Sequence, residues 1–189
     1  MPEKPSYLGL LNTISLLESR AHAYLTAWAD VTPEPAVRKV LLTVAAREGE
    51  HGMSFAKRIN ELGFELMEKD DPDVESRMEI ARSSRTDLEK IEALGLLRFC
   101  TDGPDVFDGF FQDHSIDVRT GELLGRYIAE ERDSLRLLQG CHAQLQAAGP
   151  AGTASDRLGA LEDKLDAVAR AVDELRQIVC AQTMPAAPS

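Results

Sequence analysis

The sequence predicts an all-α protein, and three observations support that fold class. Apolar residues recur every three or four positions over long stretches, which is the period of one helix face. Runs with the strict alternation of β-strands are absent, and glycines and prolines cluster at a few sites. Of the 189 residues, 43% are hydrophobic but only 5% are aromatic, so a core of mainly Leu, Ala and Val is expected. We therefore expect long amphipathic helices that pack side by side.

The first two predicted helices each carry ionisable residues inside an apolar stripe. The stripe of the first helix contains Leu11, Ile14, Glu18, Ala21, Leu25 and Trp28. The stripe of the second helix contains Leu41, Val44, Glu48, His51, Phe55 and Leu62. Between them, Thr32-Pro33-Glu34-Pro35 predicts a turn in which Thr32 is the N-cap of the second helix, because Pro is favoured at the first helical position.

Glu18, Glu48 and His51 are expected to meet between these two helices. Glu18 lies fifteen residues before Pro33 and Glu48 lies fifteen residues after it, so an antiparallel hairpin places both carboxylates at the same level. His51 follows Glu48 by three residues and shares its helix face. Because a buried unpaired carboxylate is costly, the pattern favours a metal site over an exposed stripe edge. His22, one turn after Glu18, is the candidate to hydrogen-bond a ligating carboxylate.

The segment Arg47-Glu48-Gly49-Glu50-His51-Gly52 resembles the Glu-x-x-His segment in the second helix of rubrerythrin-like proteins, a branch of the ferritin-like di-iron carboxylate superfamily. The resemblance spans residues 6–146. It implies an antiparallel four-helix bundle with a long crossover between the second and third helices. In that family one Glu comes from each of two helices and a Glu-x-x-His from each of the other two.

The resemblance requires further ligands from a second pair of helices. The capping box Thr86-Asp87-Leu88-Glu89 predicts the start of a third helix. On that helix Leu88, Glu92, Gly95 and Phe99 share one face, which makes Glu92 the predicted ligand. Glu89 is the alternative, but it lies one turn earlier and its more obvious role is to close the capping box.

The fourth predicted helix, residues 115–146, has a stripe formed by Leu124, Tyr127, Glu131, Leu135 and Leu138. Glu131 has the position in this stripe that Glu48 has in the second helix. Three residues further on, Ser134 stands where the family has His. Either Glu131 faces the site without an imidazole partner, or Glu130 and Asp133 form the inward pair.

The resemblance implies a dinuclear iron centre, or an iron and manganese centre. Glu48 and Glu131 would bridge the two ions, Glu18 and Glu92 would be terminal ligands, and His51 would be the nitrogen donor. The implied activity is reduction of peroxide or dioxygen with electrons from an external donor. The alternative, favoured by the missing second His, is a ferritin-like scaffold with a degenerate metal site that acts as an oligomeric interaction protein.

The domain organisation is predicted from composition. Residues 1–148 form the bundle, in which an acidic segment from 67 to 84 is the crossover and residues 72–81 form a short helix within it. Residues 149–156 are a flexible linker. Residues 157–182 form a coiled-coil helix that drives homo-oligomerisation, the alternative being a fifth helix packed on the bundle. Its seam is Leu158, Leu161, Leu165, Val168, Val172, Leu175 and Val179.

Charge and cysteine usage limit the partners. The net charge of −11 disfavours nucleic acids and anionic membranes, and the sequence has no membrane-spanning apolar run or secretion signal. Cys100, Cys141 and Cys180 form no C-x-x-C pair, so a rubredoxin-type iron site is not expected. An odd number of cysteines without a secretion signal predicts reduced thiols and a cytoplasmic protein.

Overall fold

The computed structural model describes residues 4–97 and 112–149, and also residues 165, 166, 168 and 170 of the tail. In these residues the regular structure is helical, which confirms the predicted all-α class for this part of the chain. The helices are α1 (Leu8–Val31), α2 (Pro35–Glu61), α3 (Asp73–Arg82), α4 (Asp87–Ala93) and α5 (Val118–Ala148). The chain divides into two compact units between Gln146 and Ala147, and the candidate site lies in the first.

Helices α1 and α2 form the predicted antiparallel hairpin. Pro35 occupies the first turn of α2, but the N-cap is Glu34, so the prediction of Thr32 as N-cap is wrong. Thr32 instead ends α1, where its backbone N–H donates to Trp28 O. Its hydroxyl donates to Asp87 at 2.6 Å and accepts from the backbone N–H of Glu34 at 3.2 Å, so Thr32 links the turn before α2 to a residue that is distant in the sequence.

Small residues let α1 and α2 approach closely at the level of Glu18. A Cβ atom placed on Gly52 would lie 3.1 Å from Ser19 N and 3.2 Å from Ser15 O, both of which belong to the backbone of α1. Ser15 Oγ also donates to Gly52 O at 2.8 Å. Because backbone atoms cannot move aside as a side chain can, larger residues at position 52 would push the two helices apart.

The connection from α2 to α4 follows α1 along its length. Near the start of α1, Asn12 and Met67 exchange two hydrogen bonds, of 2.9 and 2.7 Å. Further along, Arg20 donates to Asp71 at 3.2 Å. At the end of α1, Trp28 Nε1 donates to Asp87 at 2.6 Å. The connection contains α3, which confirms the short helix predicted at residues 72–81.

Helix α4 is shorter than the predicted third helix. The predicted capping box is confirmed, since Thr86 accepts from Glu89 N and the Glu89 side chain accepts from Thr86 N. The helix ends at Ala93, and Gly95 has a φ of +64°, in the left-handed region, so a continuous helix through Gly95 is not formed. Phe99, predicted on the same face, lies outside the described residues.

Helix α5 confirms the predicted fourth helical stretch and runs parallel to α1. At one end Tyr7 donates to Asp117 at 2.7 Å, and further along Tyr127 donates to Glu18 at 3.0 Å. Near the other end Leu138 packs in the same buried cluster as Trp28. The order of these contacts sets the direction of α5. None of the helices in the described part of the chain is both long and apolar enough to cross a membrane.

Two apolar clusters hold these helices together, one on each side of an ionisable layer. One cluster contains Tyr7, Leu8, Leu11, Ile14, Phe55, Ile59, Leu124, Tyr127 and Ile128. The other contains Leu25, Trp28, Ala29, Val37, Leu41, Val44, Ala45, Ala81, Ile91, Leu138 and Cys141. The ionisable layer between them therefore has apolar packing both above and below it, which limits its contact with water.

Candidate metal centre

Four ionisable side chains from three helices converge between the two apolar clusters. They are Glu18 of α1, Glu48 and His51 of α2, and Glu131 of α5, and each offers one ligand atom within 4.8 Å of the other three. Glu18 is 7% exposed, Glu48 6% and His51 1%, while Glu131 is half-buried. The predicted convergence of Glu18, Glu48 and His51 is therefore present in the structure.

The two ring nitrogens of His51 face different carboxylates. Nε2 lies 2.6 Å from Glu130 Oε2, a short hydrogen bond on the more exposed side of the ring. Nδ1 lies 3.3 Å from Glu131 Oε1 and 3.7 Å from Glu18 Oε2, on the buried side. Because the contact with Glu130 holds one nitrogen, the ring is oriented with the other nitrogen toward the carboxylates of the centre.

Three buried atoms of the centre have no hydrogen-bond partner. They are Glu18 Oε2, His51 Nδ1 and Glu131 Oε1. Buried polar atoms are nearly always paired, because each unpaired one costs about 1–3 kcal/mol. Here the three atoms face one another and all carry lone pairs available for coordination when the imidazole is neutral. A cation placed among them would satisfy all three at once.

Aromatic residues form the wall of the centre next to α5. Tyr127 donates from its hydroxyl to Glu18 Oε1 at 3.0 Å, so the second oxygen of that carboxylate is left facing the centre. The Tyr127 ring also meets the His51 ring edge to face, with centroids 5.0 Å apart, and packs against Phe55 at 5.3 Å. Tyr127 thus orients one carboxylate and the imidazole together.

The pKa values of the four groups reflect their crowding. Burial, together with the neighbouring Glu18 carboxylate, raises the pKa of Glu48 to about 11. Burial lowers the pKa of an imidazole, but the surrounding carboxylates, Glu131 foremost, outweigh it and raise the pKa of His51 to about 10. Burial also raises the pKa of Glu131. Burial alone would raise the pKa of Glu18, but the nearby His51 and Glu48 lower it overall.

The structure does not bring Glu92 to this centre. Glu92 is exposed on α4, and the short helix that carries it is anchored beside Trp28, in the apolar cluster at the far end of α1. Glu89, the alternative, closes the capping box and is also exposed. Of the five predicted ligands, four therefore converge and Glu92 lies apart from them.

Of the two neighbouring glutamates on α5 that could face the site, Glu131 faces the centre, and Glu130 contacts His51 from another side. Glu131 faces the buried side of His51, whereas Glu130 reaches the other nitrogen from the half-exposed side. Asp133 does not join the centre, because it pairs with Arg47 at 2.7 Å. The sequence reasoning missed the two ion pairs that Glu130 and Arg47 form across α2 and α5. The available signal was the spacing of Arg47, four residues before His51 on the same helix face.

Two further predictions concern residues near the centre. His22 was expected to hydrogen-bond a ligating carboxylate, but its Nδ1 lies 2.7 Å from Ala45 O, so that expectation is wrong. The ring instead lies over Gly49 on the exposed side of the hairpin. Cys141 is buried in an apolar cluster, where burial raises the pKa of its thiol, and Cys100 and Cys180 lie outside the described residues.

Comparison with known proteins gives no relative for this chain. No family model, no curated protein and no solved structure matches it. The chemistry of the centre therefore has to be inferred from its own residues.

Proposed function

We propose that this protein binds a transition-metal ion through Glu18, Glu48, His51 and Glu131. The observation that carries the proposal is the convergence of three buried atoms that have no hydrogen-bond partner and are contributed by three different helices. Three carboxylates with one imidazole make a mainly oxygen donor set, which suits iron(II) or manganese(II) better than a thiolate-rich set would. The residues of this centre thus fit the iron or manganese that the family resemblance implies.

The arrangement of the helices supports a ferritin-like architecture as part of the proposal. The connection after α2 follows α1 from its first turns to its last, and α5 then runs parallel to α1. A four-helix bundle with a long crossover has this order of directions, with ligands that project inward from facing helices.

The activity we propose is reduction of peroxide or dioxygen. A bound iron or manganese ion would supply the redox chemistry, with electrons from an external donor. The protein's own residues would bind the ion and hold its ligands in orientation. Tyr127 fixes the Glu18 carboxylate, and Glu130 fixes the orientation of the His51 ring. The apolar clusters on both sides of the centre restrict the entry of water, which strengthens electrostatic interactions inside it.

A second function, an oligomeric scaffold with a degenerate metal site, has one observation in its favour. The acidic centre is flanked by two ion pairs, His51 with Glu130 and Arg47 with Asp133. Such pairs offset part of the carboxylate charge without a metal ion. On this alternative the layer would only specify how the three helices pack, as buried polar groups do in some proteins.

Metal analysis of three proteins would separate the two functions. Protein produced in iron-supplemented medium and purified without chelator is expected to contain metal. Glu48→Ala should lower the metal per chain to near zero while circular dichroism shows an unchanged helix content. Glu92→Ala is the matched control, because it removes an exposed carboxylate that the sequence alone would assign to the site, and it should leave the metal content unchanged. Equal metal content in all three proteins would contradict the proposed ligand set.

A further inference from the structure

We propose that the centre holds one metal ion per chain and that the guanidinium group of Arg47 takes the place of a second ion. This inference rests on the proposed metal binding. The family resemblance implies a dinuclear centre, whereas this centre would hold a single ion beside the guanidinium group of Arg47.

Helices α2 and α5 correspond in the spacing of their buried polar residues. On α2, His51 follows Glu48 by three residues, and on α5, Ser134 follows Glu131 by three residues. Both helices direct the glutamate of this pair into the same layer. Ser134 is 2% exposed, so it occupies on α5 the buried position that the imidazole occupies on α2. A second imidazole ligand would have to come from this position.

Arg47 already occupies the space beside Ser134. Arg47 reaches from α2 to α5, where Nη1 donates to Ser134 Oγ at 3.3 Å and Nη2 contacts Asp133 Oδ2 at 2.7 Å. Two contacts through two nitrogens fix the plane of the guanidinium. The positive charge is thereby held next to the side chain that would have to be a ligand of a second ion.

The positive charge of Arg47 disfavours a second cation beside Ser134. A guanidinium group keeps its charge at every accessible pH, so it cannot make room for a cation by losing a proton. This charge is held in place by the contacts of Arg47 with Ser134 Oγ and Asp133 Oδ2. A second divalent ion beside Ser134 would be repelled by the charge of Arg47 and would lack an imidazole ligand.

The number of available ligands also favours a single ion. In residues 4–97 and 112–149 the four side chains of the centre are the one group of His, Cys, Asp and Glu residues close enough to hold an ion. Four donors complete the coordination of one ion in a tetrahedral geometry, or leave open positions in a larger one. Glu92, which the family pattern would contribute to a second ion, is exposed on α4.

The test is a manganese(II) titration of the full-length protein under anaerobic conditions. We expect one tightly bound ion per chain, with the electron paramagnetic resonance spectrum of an isolated manganese(II) ion. Two bound ions with a spin-coupled spectrum would overturn the inference and leave the proposed metal function standing. No bound manganese and no bound iron would refute the proposed function itself.

Variants test the role assigned to Arg47. Ser134→His alone should still bind one ion, because the guanidinium remains, whereas Arg47→Met combined with Ser134→His should bind two. Arg136→Met combined with Ser134→His is the matched control and should bind one ion, because Arg136 also pairs with Asp133, at 3.1 Å, but is 70% exposed. A second ion in Ser134→His alone would show that Arg47 does not exclude the second ion. A single ion in the Arg47→Met double variant would contradict the role of Arg47 and leave the number of ligands as the limit on metal binding.

Discussion

Metal binding at the centre is expected to weaken steeply as the pH falls. The pKa of His51 is raised to about 10 and that of Glu48 to about 11, so both groups carry a proton throughout the range from pH 6 to pH 8. Metal ligands must be deprotonated, so each binding event has to release these protons. Lower pH therefore favours the protonated centre over the metal-bound one.

The size of the effect follows from the number of protons. Release of one proton changes the apparent affinity about tenfold per pH unit, which corresponds to about 1.4 kcal/mol. Two protons give about a hundredfold change per unit, or about 2.7 kcal/mol. Because His51 and Glu48 interact with the same carboxylates, the two protons belong to the centre as a whole rather than to separate sites.

The assay is a manganese(II) titration at pH 6, 7 and 8, with proton release followed by an indicator dye in weak buffer. The wild-type protein should release about two protons per ion. Glu48→Gln, whose amide does not ionise, should release about one and bind more weakly. Glu92→Gln should behave as the wild-type protein, because Glu92 is exposed and apart from the centre.

An apparent affinity that does not change between pH 6 and pH 8 would refute this reasoning. It would mean that neither His51 nor Glu48 is protonated at neutral pH. If Glu48→Gln released as many protons as the wild-type protein, only the assignment of the second proton would change. That proton would then belong to another carboxylate, such as Glu131.

Three further predictions concern the fold and the assembly. Asp87→Ala leaves the buried donors of Trp28 and Thr32 unpaired, so thermal unfolding should show a loss of about 3 kcal/mol, and a loss below about 1 kcal/mol would contradict this. The pKa of Asp117 lies below its ordinary value, because hydrogen bonds from neighbours outweigh burial. The Asp117 carboxylate therefore stabilises the fold above pH about 4, and this stabilisation is lost as the pH falls further. In Asp117→Asn, the free energy of unfolding should therefore decrease less steeply as the pH falls below about 4. Truncation after Gly149 should leave the helical unit that carries the candidate site folded, with a smaller assembly mass in light scattering, and an unchanged number of chains per assembly would contradict the prediction that the tail drives homo-oligomerisation.

The hairpin of α1 and α2 could be predicted well from the sequence. Its helix faces follow from the 3.6-residue period, and the register of Glu18 and Glu48 follows from counting residues to one turn. The helix faces and this register both depend on residues that are close together in the sequence. The capping box of α4 was predictable for the same reason, since all of its atoms lie within four residues.

The ligands beyond the hairpin could not be predicted with the same success. Glu130 and Glu131 are neighbours about 100° apart on one helix, so a small rotation of α5 decides which one faces the centre. The structure places them on opposite sides of the His51 ring, an arrangement that the either-or interpretation of the pattern did not include. The structure places Glu92 apart from the other four predicted ligands, because its position depends on where α4 begins and ends.

The sequence by itself determined that the described part of the chain is helical, that one hairpin carries an inward Glu, Glu and His, and that these three lie at one level. These properties follow from periodicity and from the rise of a helix, which act over a few turns. Only the tertiary structure decided that Glu131 completes the group, that Arg47 reaches across to Ser134, and that Thr32 contacts Asp87 rather than capping α2. These contacts join residues from 55 to more than 80 positions apart, and packing sets their geometry through small rotations and shifts of whole helices.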